Sequence, residues 1–172
     1  MRMTICGLTL IAALSLFSFP ACAQKKDYLT DAEADRIRDA DNSSQRIVLF
    51  ISFAGDRIKK LQYEFAHPDS KELHREDKIN SFINGYTGCI DDAADLIDLG
   101  VDKQENIRDG IKEMQSKAPA FLSYLKELAA KGAEVEDYKD NLDDAVEATT
   151  DALKSADTGD KELAPPPVRR SQ

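Results

Sequence analysis

Glu64 and His67 stand three residues apart in Glu64-Tyr-Phe-Ala-His67, a spacing that sets a carboxylate and an imidazole on one face of a helix. A di-metal carboxylate bundle uses two such Glu-x-x-His pairs and two further inward glutamates. The other histidine, His74, has Lys71 three residues before it, so no second pair exists and no metal ligand set is expected. Residues 39–44, DADNSS, place oxygens at alternate positions as a calcium loop does. Ser44 occupies the sixth position, which needs Gly, and Phe50 the twelfth, which needs Glu.

Haem attachment by Cys-x-x-Cys-His has no counterpart in the chain, and neither do Gly-x-Ser-x-Gly, a Gly-rich phosphate loop or His-Glu-x-x-His. Cys89 lies one place before an apolar stripe residue, Ile90, and has no identifiable base to activate it, so it reads as a half-buried inert thiol. No catalytic residue, no cofactor and no metal centre are therefore expected.

Two stretches stand out from a plain amphipathic pattern. Residues 47–55, IVLFISFAG, are apolar almost all the way round a helix. Ile47, Ile51 and Ala54 account for the inward stripe. Leu49 and Phe53, four apart, then fall together on the outward side and are expected to form an exposed interface patch. The second stretch is acidic: Glu134, Glu136, Asp137, Asp140, Asp143, Asp144, Glu147 and Asp151 share one helix with Lys139 alone among them. Like charges at i,i+4 cost about 0.2–0.5 kcal/mol per pair, and a solvated face is the expected outcome, with weak divalent-cation binding as its rival.

The elements that carry these residues read as helices. A capping box, Thr30-Asp-Ala-Glu33, opens the first, whose stripe runs Ile37, Ala40, Ser44, Ile47, Ile51, Ala54, Ile58, Leu61 and Phe65 to a stop at Pro68. The weak helix formers of residues 39–45 allow a break, with Asn42 and Gln45 able to cap a fresh helix. The other helices open at Asp69, at Asp102 and after Gly132. Pro119 is expected to kink the third without ending it. The four spans are about 30–66, 70–99, 103–131 and 133–156 on this spacing. Short connections between long amphipathic helices predict an all-α, antiparallel up-down four-helix bundle. The alternative fuses the third and fourth helices across Gly132 into a three-helix assembly.

Ahead of these helices lies an apolar leader. Arg2, an apolar run from Leu8 to Phe17 and small residues Ala21 and Ala23 have the anatomy of a signal peptide over residues 1–23, cut between Ala23 and Gln24. A rival reading keeps Cys22 as a lipidated first residue, but that signal wants an aliphatic residue three places earlier, where Phe19 stands. The apolar run is shorter than the roughly 20 residues that span a bilayer. Cleavage leaves about 150 residues, enough for one core, beginning with a short linker at 24–29. Cys6 and Cys22 go with the leader, so packing rather than a disulfide must hold the domain. The full chain has 23 basic and 32 acidic residues, a poor match to nucleic acid. From Asp157 the stripe ends in a Pro-rich tail, with Pro165-Pro166-Pro167 before Arg169-Arg170, expected to be disordered.

Clean stripes and an empty catalytic inventory predict a non-enzymatic protein of interaction or structural type, periplasmic or secreted in a bacterial envelope. Its expected partner is a second copy or another envelope protein, met through the first helix. The alternative is a small-molecule or divalent-cation-binding, sensor-like bundle, with a pocket near Pro119 and Tyr86, Tyr124 or Tyr138.

Overall fold

The computed structural model describes residues 28–68 and 73–163. The leader, its cleavage site and Cys22, the second capping box at residues 69–72 and the Pro-rich tail from residue 164 lie outside them. The described residues are all-helical, without a strand. They form α1 (Asp31–Asp39), α2 (Ser43–Ala66), α3 (Arg75–Asp102), α4 (Arg108–Ala129), a 3-10 segment (Gly132–Tyr138) and α5 (Lys139–Glu162).

The expected first helix is two. Thr30 and Glu33 make the capping box that starts α1. Ala40 then turns extended, and Asn42 caps α2 by accepting from the Gln45 backbone N–H at 2.9 Å. Gln45 returns the favour across the break, its side-chain oxygen accepting from the Asp41 N–H at 3.0 Å. Polar side chains that compete for backbone groups thus end one helix and begin the next.

Helix starts and stops elsewhere differ from the sequence expectation. Asp102 caps nothing: α3 runs through Gly100 to Asp102, and α4 starts at Arg108. Gln104 takes a left-handed conformation, φ 53°, so the Glu105 N–H reaches the Gly100 carbonyl (2.8 Å) and the Gln104 N–H that of Val101 (3.0 Å). That pair of bonds is the Schellman ending. Gly132, φ 61°, breaks the chain between α4 and the 3-10 segment, so the third and fourth helices are not fused. Pro119 lies inside α4, which continues past it. At the far end α5 persists to Glu162, six residues beyond the expected boundary, because Ala156, Gly159 and Leu163 extend its buried stripe.

A non-glycine residue in the left-handed region costs on the order of 1 kcal/mol. Gln104→Gly is therefore expected to raise stability, although it gives up the side-chain bond to the Val101 carbonyl. A net gain of about 0.5 kcal/mol, read as a higher urea midpoint with unchanged slope, is the predicted result.

The four long helices surround one core. α2 packs on α3 and α4, and α5 packs on the same two. Sequential neighbours α2–α3 and α4–α5 are in contact as short connections suggest, but α3 and α4 meet chiefly through the other two. The connecting loop crosses the end of the core instead, where Ile107 is fully buried against Gly100. The core holds Ile47, Ile51, Leu61, Ile79, Ile83, Tyr86, Ile90, Ile97, Ile111 and Met114. Small residues on α5, from Ala145 through Thr149 and Ala152 to Gly159, let that helix come close. A Cβ on Gly159 would stand 2.9 Å from Val101 Cγ2.

Candidate interaction groove

At the elbow between α1 and α2 the surface opens into a groove of about 630 Å³. Val48 and Leu49 give it apolar lining. Arg36 and Asp39 of α1, Asn42 and Gln45 of the elbow, and Asn106 and Asp109 at the start of α4 give it polar lining. The elbow is fixed to α4 and to the loop before it by two contacts. Ser43 donates to Glu105 at 2.5 Å, and Ser44 Oγ accepts from the Gly110 N–H at 3.1 Å. Behind that contact Ile47 presses on Gly110, where a Cβ would fall 2.9 Å from its side chain. The elbow side of the groove is therefore pinned to the packed start of α4.

The two residues singled out for an exposed patch part company here. Leu49 is half-buried and lines the groove. Phe53 is 1 % exposed and is not part of any open surface. The break at residues 40–42 turns α1 back along α2, and the Arg36 guanidinium lies over the Phe53 ring, 5.1 Å from its centroid. A continuous first helix would have left that ring facing outward; the fold-back covers it.

A polar cluster holds α1 in place. Arg57, on α2 and 5 % exposed, grips both oxygens of Glu33 and also donates to the Tyr28 carbonyl at 3.0 Å and the Phe53 carbonyl at 3.3 Å. The Tyr28 hydroxyl bonds Asp92 on α3. The Arg57 hydrogen bonds, with help from Thr30, pull the Glu33 carboxyl from its ordinary 4.5 down to about 2, and the same partner raises the guanidinium. Glu33 was legible in the sequence only as a capping-box residue, and Arg57 did not stand out at all. The available signal was a charge on the buried 3/4 spacing of Phe53, Arg57, Leu61 and Glu64.

Because Glu33 titrates lower folded than unfolded, its contribution is complete above about pH 5 and is lost as pH falls toward 2. With partial screening by solvent the contribution is about 2 kcal/mol. Wild type is expected to lose more melting temperature than Glu33→Gln between pH 6 and pH 3; parallel losses would contradict this assignment.

The remaining candidates are structural or solvated. Glu64 is engaged by Lys78 at 2.7 Å, and His67 stacks on Tyr63 with its Nδ1 against the Tyr63 carbonyl. Among the described residues no three His, Cys, Asp or Glu side chains gather as a metal site would. Cys89 is completely buried rather than half-buried. The acidic residues of α5 are exposed, and Asp144, Glu147 and Asp151 border a shallow groove of about 330 Å³ with Asp91 of α3.

Of the three tyrosines named for a pocket, Tyr86 and Tyr138 are buried. Tyr86 is fully buried, packs edge-on against Phe121 and shares a hydrogen bond with Thr149 at 2.7 Å. Burial raises its hydroxyl above the ordinary tyrosine range and pushes the Tyr124 hydroxyl up to about 12. Tyr138 is core, edge-on to Phe65. Among the described residues no helix is long and apolar enough to cross a membrane.

Compared with protein-family models, with curated proteins and with solved structures, the chain matches none.

Proposed function

We propose that this chain is an exported, non-enzymatic protein of the bacterial envelope, a four-helix bundle that acts by binding another protein across the α1–α2 elbow. The observation that supports this reading is the groove itself: an apolar strip of Val48 and Leu49 bordered by Arg36, Asp39, Asn106 and Asp109 and tied to α4 by the Ser44–Gly110 hydrogen bond. Apolar contact supplies affinity in such a surface, while the charged border sets register. The perturbed titratable groups, Glu33 and Arg57 shifted by their mutual hydrogen bonds and the tyrosines by burial, are committed to pairs and packing within the fold, which fits a binding role better than proton transfer.

Leu49→Asp should leave the helical spectrum and melting transition close to wild type and reduce association, measured by light scattering or by recovery with envelope partners, at least tenfold. Unchanged association would overturn the groove as the binding surface. Export is tested by intact mass: a chain starting at Gln24 supports free diffusion, and one starting at an acylated Cys22 replaces it with a tethered bundle. The sensor-like alternative rests on the acidic groove between α3 and α5, and flat calorimetric titrations with calcium and zinc would remove it.

A further inference from the structure

α5 ends at the same corner of the bundle as the elbow groove. Its last buried residue, Leu163, turns extended, with ψ 126°. The Leu163 carbonyl accepts from the Arg108 guanidinium at 3.3 Å. Arg108 stands between Asn106 and Asp109, the two residues that α4 and the loop before it lend to the groove. The chain past Leu163 therefore sets out from the turn of α4 that borders the elbow.

Nine residues follow in the sequence, APPPVRRSQ, residues 164–172. They carry one branched apolar side chain, Val168, two cations, Arg169 and Arg170, and no acidic side chain. The groove offers the complement in Val48, Leu49 and the carboxylates of Asp39 and Asp109. Both aspartates are exposed, and neither has an ion-pair partner among the described residues. Arg36, the cation of the lining, lies over the Phe53 ring, so the open charge of the border is negative. Reach is sufficient. Polyproline rises about 3.1 Å per residue, which lets Val168, the fifth residue past Leu163, stand up to about 15 Å from it. Crossing one helix takes about 10–12 Å.

We infer that residues 164–172 seat in the elbow groove of their own chain, Val168 on the Val48–Leu49 strip and Arg169 and Arg170 against Asp39 and Asp109. This rests on the groove as the binding surface and adds its regulation: the tail is a tethered competitor that a partner must displace. Exposed ion pairs are individually weak. A short tether nevertheless supplies an effective concentration on the order of mM, enough to fill the groove in the free protein and still yield to a tighter partner.

A photoreactive residue at Val168 of the purified full-length protein reads the seat directly, because position 168 lies beyond the last core residue, Leu163. The expected product is an intrachain crosslink at monomer mass, mapped by peptide mass spectrometry to residues 36–49 or 106–109. Asp39→Asn with Asp109→Asn should weaken it several-fold. No crosslink, crosslinks scattered over the surface, or a product at dimer mass overturns the inference. Arg169→Glu with Arg170→Glu should release the groove and raise recovery of envelope partners several-fold; equal recovery overturns the competition. The two readings fail separately. An intrachain crosslink with no partner recovered from either chain upholds the tail in its seat and removes the partner. A partner recovered equally from both chains, with no intrachain crosslink, does the reverse.

Discussion

Replacing Arg57 with alanine is expected to destabilise the protein by about 3 kcal/mol, since removing one partner of a buried pair leaves the other charge uncompensated. The loss reaches further than one ion pair. Arg57 also holds the Tyr28 and Phe53 carbonyls, so the segment from Tyr28 to Asp39 should detach along with Glu33. Chemical denaturation gives the free energy, and hydrogen exchange gives the location, with faster exchange confined to α1 and the start of α2. The double change Glu33→Gln with Arg57→Met is predicted to cost less than Arg57→Ala alone, because neither residue then leaves a lone charge. A double variant as unstable as the single one would mean that Arg57 acts through its other contacts.

Phe53→Ala should cost about 3–5 kcal/mol, the range for deleting a buried ring. Its neighbours on the core side, Phe50 and Ala54, are themselves buried, and Arg36 covers the outer face. Leu49→Asp, one turn earlier on the same helix, is predicted to cost clearly less than Phe53→Ala, because Leu49 is only half-buried at the edge of the groove. The contrast separates two roles that look alike in sequence. Phe53 variants are expected to fail by unfolding, seen as a melting temperature lowered by about 10 °C or more, and Leu49 variants to fail by losing a partner while folded. Equal destabilisation at both positions would place Leu49 in the core and remove the apolar strip from the groove.

That contrast also shows what periodicity can and cannot reveal. Ile47, Ile51, Ile58 and Leu61 were legible as core because one helix stripe at 3/4 spacing depends only on local geometry. Phe53 was misplaced because its cover comes from α1, and the fold-back depends on a three-residue break whose direction no pattern states. The break itself was readable in Asn42 and Gln45. The third helix start was misread at Asp102, since the left-handed turn sits at Gln104, where a glycine would have advertised it. The end of α5 was legible in principle. Ala152, Ala156, Gly159 and Leu163 keep the 3/4 step, but small residues carry a faint apolar signal and hid it.

The groove was half readable. Leu49 was found by excess hydrophobicity, whereas Asn106 and Asp109 come from α4 and join it only through the packing of Ser44 and Ile47 on Gly110. The Arg57–Glu33 pair spans a turn of the chain, so its members had no reason to be read together. Charged residues on a buried stripe are the one trace such pairs leave in sequence.

Site-specific photo-crosslinking in the bacterial envelope tests the central claim most directly. A photoreactive residue placed at Leu49 is compared with one at Tyr63, which is 62 % exposed on the same helix but outside the groove. The account predicts a discrete crosslinked species from position 49 that is absent or several-fold weaker from position 63, and lost when Asp39 and Asp109 are changed to Asn. Equal, diffuse crosslinking from both positions, or none from position 49 in a folded protein, would contradict a bundle that acts through its elbow.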